Sequence, residues 1–151
     1  MAAPARPLAL LLACALALGA CGQTSKDSAK GFKGDQQAVA QTVENLQTEG
    51  SKRTSDSSRK ICNDLLAPDL VARIKQASSK PCDVVIKDAL GDADSFELQV
   101  QKVTINGDQA TAVVQSQASG NKDRTDTLTL KKVGNAWKIA ALGGSGAAAS
   151  G

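Results

Sequence analysis

Few side chains in this 151-residue sequence can do chemistry, and there is no histidine and no tyrosine. Four thiols stand at Cys14, Cys21, Cys62 and Cys82. Cys62 and Cys82 lie too far apart in sequence for the C-x-x-C spacing of a redox pair, and no histidine exists to complete a mixed zinc set. The acidic stretch "GDADSFE" carries Asp92, Asp94 and Glu97 at a spacing that hints at a calcium loop. It lacks the D-x-D-x-D-G core, and reads better as a solvated connection. "NKDRTD", Asn121 to Asp126, reads as a charged hairpin tip. The pattern places no Asp or Glu inside a core, so proton transfer would have to run on surface carboxylates or lysine alone.

The amino terminus says what one thiol is for. Arg6 precedes an unbroken apolar run from Leu8 to Leu18. That run is about half the ~20 residues a membrane-spanning helix needs, and fits the apolar region of an export signal. Leu18, Gly19 and Ala20 then lead into Cys21, and this L-G-A-C resembles the lipobox of bacterial lipoproteins. The resemblance implies cleavage before Cys21 and attachment of diacylglycerol to its sulfur, making the membrane a partner through covalent lipid. Two acyl chains suffice for stable anchoring. A plain secretory signal cut after Ala20, or an uncleaved anchor, is the other reading. After export Cys14 leaves with residues 1–20 and Cys21 takes the lipid. Cys62 and Cys82 remain as an even pair on an oxidising side of the membrane, where a structural disulfide is the natural reading. Closing that loop contributes about 3 kcal/mol in the chain-entropy account.

Loss of Arg6 with the leader leaves 17 basic and 15 acidic side chains, a net charge of +2. With Phe32, Phe96 and Trp137 as the only aromatic residues, no stacking surface or basic stripe points to nucleic acid. No metal and no cofactor is expected. Residues 21–34 are polar and small and read as a flexible tether, and 143–151, "GGSGAAASG", as a disordered tail. Between them, 35–142 has the length of one small domain.

Two periodicities divide that domain. Val39, Val43 and Leu46 recur at helical spacing behind Asp35 as amino-cap, and Gly50 stops the pattern. Ile61, Cys62, Leu65 and Leu66 continue it, and Pro68 restarts a helix with Leu70, Val71 and Ile74 inward. Cys82, Val85, Ile86, Ala89 and Leu90 form a third stripe ended by Gly91, so both cysteines fall on buried faces. From Ser95 the period becomes two. Phe96, Leu98 and Val100 alternate, and Val103 and Ile105 resume on the opposite parity, which requires a bulge near Gln101 and Lys102. Asn106 and Gly107 supply a hairpin turn. Ala110, Ala112 and Val114 return, Ser119 to Lys122 turn again, Leu128 and Leu130 follow, and Gly134 and Asn135 lead into Trp137, Ile139 and Ala141.

Three helical segments followed by a bent antiparallel meander resemble the nuclear transport factor 2-like superfamily. The likeness is carried by "VTINGDQATAVV" and "LTLKKVGNAWKIAAL". A cystatin-like arrangement, one helix across a meander, is the nearest rival. The resemblance implies an α+β cone, a strongly bent four-stranded sheet packed on helices, with an apolar pocket that some members use for ligands and a few for catalysis. Phe96, Leu98, Trp137 and Ile139 are the candidates for pocket or core, and a Trp in a half-buried strand is more often core. Catalytic relatives rely on a tyrosine, histidine or aspartate in the pocket; two of those residue types are missing here. The expectation is a non-catalytic module binding an envelope protein or a small apolar ligand. An enzyme on a small hydrophobic substrate and a purely structural component are the alternatives.

Overall fold

A computed structural model of the protein describes residues 25–92, 96–117 and 124–143. The readings for Cys14, for Leu18, Gly19, Ala20 and Cys21, for Asp94, for the turn at 119–122 and for 144–151 lie outside the described residues.

Helix α1 (Gly34–Lys52) forms where Val39, Val43 and Leu46 make one apolar stripe, and all three are buried. Its amino-cap is Lys33 rather than Asp35, and no side chain caps it. Asp35 sits in the first turn, 3.3 Å from Lys132 Nζ. Gly50 does not end the helix. It is buried within α1 because the Phe96 ring occupies the space where a Cβ would stand.

The polar stretch after Arg53 is itself helical, as α2 (Ser55–Lys60). It carries no apolar stripe because the face it buries is Ser57 and Ser58. Thr54 caps it, accepting from the Ser57 amide at 3.1 Å, while Ser58 Oγ donates to the Thr54 carbonyl at 3.1 Å. A single π-helical turn (Ile61–Leu65) follows and carries Cys62. Pro68 then opens α3 (Pro68–Ser78) and α4 spans Cys82–Gly91. The expected second segment, from Ile61 to Ile74, is thus a π turn followed by α3, and α2 precedes it in a stretch where no helix is expected. None of the helices among the described residues is long and apolar enough to cross a membrane.

Strands β1 (Glu97–Asn106), β2 (Gln109–Gln117), β3 (Arg124–Val133) and β4 (Ala136–Gly143) form one antiparallel sheet in the order β1-β2-β3-β4. The ladder shifts between Val100 and Lys102, so Gln101 is the bulge that the parity change required. The first hairpin pairs Asn106 with Gln109. Its turn is therefore Gly107–Asp108, with Asn106 still in the strand and only Gly107 at positive φ. A second shift lies between Thr129 and Leu130, opposite Ala140, and moves β4 past Ile139 onto the other parity.

The sheet curls until both of its edges meet α1. Gln36 Nε2 donates to the Val103 carbonyl of β1 at 3.0 Å, and the Leu98 amide donates to Gln47 Oε1 at 3.2 Å. From the same helix Thr42 Oγ1 donates to the Trp137 carbonyl of β4 at 3.1 Å. The chain after the π turn also runs along β4: Ala67 N donates to the Ile139 carbonyl at 2.8 Å, and Arg73 donates to the carbonyl of Ala140. This is the α+β cone that the resemblance implies. Val39, Val43, Ile61, Val114, Leu130 and Ile139 fill its centre, each fully buried.

Part of the expected tether belongs to the domain. Ser25–Gly31 is a 3₁₀ helix that docks on α1: the Ala29 amide and Ser28 Oγ both donate to Glu44 Oε1, at 2.7 and 3.1 Å, and Ala29 is buried.

Candidate functional site

Trp137 and Ile139 belong to the core. Ile139 is fully buried and Trp137 nearly so, with the Lys132 ammonium 5.6 Å from its ring centroid. Phe96 and Leu98 have a different place: they line a cavity of about 530 Å³ between the helices and the concave face of the sheet. That volume falls in the range of small-molecule sites, roughly 300–1,000 Å³.

The helical wall consists of Leu46 of α1, Ile61 and Leu66 at either end of the π turn, and Ile86, Ala89 and Leu90 of α4. Facing the cavity explains why Ile86 and Ala89, which continue the stripe read from the sequence, are not fully buried. The disulfide Cys62–Cys82 holds this wall. It joins the π turn to the first residue of α4, and both sulfurs belong to buried residues. Lys138, a cation that could have served an enzymatic site, is turned away and donates to the Asn63 carbonyl at 2.8 Å.

The sheet wall is Phe96 and Leu98, then Val114 and Leu128, and finally Leu142 at the rim. The seat of Phe96 is tight. A Cβ built on Gly50 would lie 2.7 Å from the ring's Cδ1 and Cε1. Leu142 is 57 % exposed although it pairs with the buried Leu128, because the shift opposite Ala140 brings it to the concave face at the open end of the cone.

Polar groups gather at that end alone. Glu97 and Gln117, both exposed, join Ser116 and Asp126 in the lining, which among the described residues contains no lysine or arginine. Asp126 Oδ2 accepts from Ser116 Oγ at 2.6 Å. Its Oδ1 lies 3.8 Å from Nη2 of Arg124, outside hydrogen-bond distance, and the Asp126 side chain is 20 % exposed. The reading of Asn121–Asp126 as a hairpin tip is corrected here. Arg124 already begins β3, and Asp126 pairs with Val114 on the concave face. The signal was present in the sequence, since Asp126 shares parity with Leu128 and Leu130, and Ser116 with Val114 and Ala112. Glu49 and Asp69, whose carboxyls are held below the usual range by Lys52 and Lys131 respectively, lie outside the lining. Asp92 is exposed, and among the described residues no group of three His, Cys, Asp or Glu side chains could hold a metal ion.

The geometry defines a class: an α+β cone with an apolar cavity and a polar mouth. The sequence over residues 74–142, which begins within α3 and spans α4 and all of the sheet but its last residue, matches the family described as "Putative lumazine-binding". Searches of curated proteins and of solved structures returned no match.

Proposed function

We propose that this chain is a lipid-anchored, extracytoplasmic module of a bacterial envelope that binds a small apolar ligand in the cone without transforming it. The observation that carries the binding reading is the cavity of about 530 Å³, apolar on both walls and polar only at its mouth. Such a space weighs against a purely structural role, because an unfilled apolar void costs stability that a filled core does not. The match at 74–142 includes the entire sheet wall and α4, and its description supports a small-molecule ligand. A heteroaromatic ring system such as lumazine would find one aromatic face, Phe96, and hydrogen-bonding partners in Ser116 and Asp126.

Anchoring rests on Leu18, Gly19, Ala20 and Cys21, and the disulfide Cys62–Cys82 suits the oxidising exterior to which that route leads. A second reading, an enzyme acting on a small hydrophobic substrate, is favoured by one feature. Asp126 is a carboxylate at the end of an apolar cavity, where proton abstraction from a bound substrate is chemically possible. Asp126 meets Ser116 and Arg124 there.

Three experiments separate these readings. Titration of the full chain with lumazine and with uncharged aromatic probes, followed on the Leu98 and Leu128 methyl resonances, is expected to show saturable shifts. Unperturbed methyls throughout would remove the ligand-binding reading. Incorporation of labelled fatty acid, lost in Cys21→Ala, is expected for the anchor; incorporation at an equal level in that variant would refute it. Recovery of every bound compound chemically unchanged is expected of a binder, whereas turnover abolished by Asp126→Asn would establish the enzyme.

A further inference from the structure

We propose that the ligand is an apolar molecule ending in a protonated amine, its body in the cone and its ammonium on Asp126. This rests on the ligand-binding reading of the cavity and adds the charge of the ligand's polar end.

The argument starts from what the lining can accept and what it can donate. An ionised carboxylate only accepts hydrogen bonds. Asp126 uses Oδ2 for Ser116, at 2.6 Å, while Oδ1 is ion-paired with Arg124 at 3.8 Å, too far for a hydrogen bond, and accepts none from the described residues. The Ser116 hydroxyl spends its one proton on that bond, so the pair presents acceptors to the cavity. Among the described residues the lining holds neither lysine nor arginine, and Asp126 is the carboxylate that shares the concave face with Val114 and Leu128.

A carboxylate or phosphate head entering this mouth would meet like charge, whereas an ammonium would make a charge-assisted bond, roughly twice as strong as a neutral one. The position of Asp126 favours the same outcome. It is 20 % exposed beside Val114 and Leu128, so an ion pair there is less screened by water than at the surface. Arg124 is the competing feature. It lies one residue pair further out on the same sheet face, opposite Ser116, 58 % exposed and outside the lining. A ligand whose head sought Arg124 would be an anion.

Phenylbutylamine, phenylbutanol and phenylbutyrate share one apolar body and differ in the head, and all three are water-soluble. Binding of each to the full chain is read from the Leu98 and Leu128 methyl shifts. The amine is expected to bind at least about tenfold more tightly than phenylbutyrate, the factor a charge-assisted hydrogen bond supplies. In Asp126→Asn that advantage is expected to vanish while phenylbutanol binds as before. Equal or tighter binding of phenylbutyrate overturns the assignment of the head and leaves the cavity reading standing. Failure of all three probes to move the methyls ends the cavity reading itself. An amine preference that survives in Asp126→Asn overturns the role of Asp126. The unmutated chain decides the sign of the preference even if the variant does not fold.

Discussion

Gly50→Ala pits two effects of similar size against each other, and the structure says which should prevail. In an open helix the change would stabilise by up to about 1 kcal/mol, because alanine loses less backbone entropy on folding than glycine. Gly50 is not in the open. Its new Cβ would stand 2.7 Å from two carbons of the Phe96 ring and 3.4 Å from Leu90 Cδ2. Ordinary contact begins near 3.4 Å, so the ring must withdraw by about 0.7 Å or more. Overpacking of this kind costs about 1–3 kcal/mol. The net expectation is a loss of about 0–3 kcal/mol, together with weaker binding of phenylbutanol, since Phe96 forms part of the sheet wall of the cavity.

A double-mutant cycle makes the argument quantitative. In a Phe96→Ala background nothing opposes the new methyl from that side, and Gly50→Ala should stabilise by up to about 1 kcal/mol. The coupling measured by urea denaturation of the four proteins should then be about 1–3 kcal/mol, as expected for residues in direct contact. Equal stabilisation by Gly50→Ala in both backgrounds would falsify the placement of the ring.

Replacing both members of the disulfide, as Cys62→Ser with Cys82→Ser, should destabilise by about 3 kcal/mol and lower Tm by at least about 10 °C. A calorimetric shift of only a degree or two would contradict it. Ile139→Ala removes a fully buried side chain at the point where the helices meet β4. The expected loss is about 2–5 kcal/mol by chemical denaturation, and a loss below about 1 kcal/mol would mean that the site collapses around the missing atoms. The carboxyls of Glu49 and Asp69 are held below their ordinary values of 4.5 and 3.8, chiefly by hydrogen bonds from Lys52 and Lys131. Lowered values mean stability that is present above the ordinary values and lost as pH falls through the folded ones. Melting curves between about pH 5 and 2 should fall less steeply for Asp69→Asn than for the unaltered chain, and parallel curves would refute the linkage.

What the sequence revealed and what it hid divide along a physical line. Period-two parity located the Gln101 bulge, and the helical spacing of Cys62 and Cys82 placed both thiols on packed faces. Both signals are carried by apolar side chains. The failures involve burial without apolarity. Helix α2 went unread because its inward residues, Ser57 and Ser58, are hydroxyls satisfied by Thr54. Gly50 looked like a terminator because its role is to leave room for a ring distant in sequence. The shift opposite Ala140 lies in "KIAAL", where small residues mark neither parity, so Leu142 could not be assigned to the cavity rim. Asp126 and Ser116 are the instructive pair. Both continue legible apolar series, but the polarity of Asp126 assigns it to a hairpin tip and Ser116 carries no signal of its own, although the two mark the mouth of the cavity.

An open sheet of four strands normally exposes two rows of unsatisfied amides and carbonyls, an invitation to strands of other chains. Here Gln36 and Gln47 occupy positions along one margin, and Thr42, Ala67 and Arg73 along the other. Recruitment of an extended peptide as a fifth strand would have to displace these donors and acceptors first. The molecule is thereby protected from edge-to-edge polymerisation when crowded, and any partner is left with the mouth of the cone or the outer surfaces as places to attach.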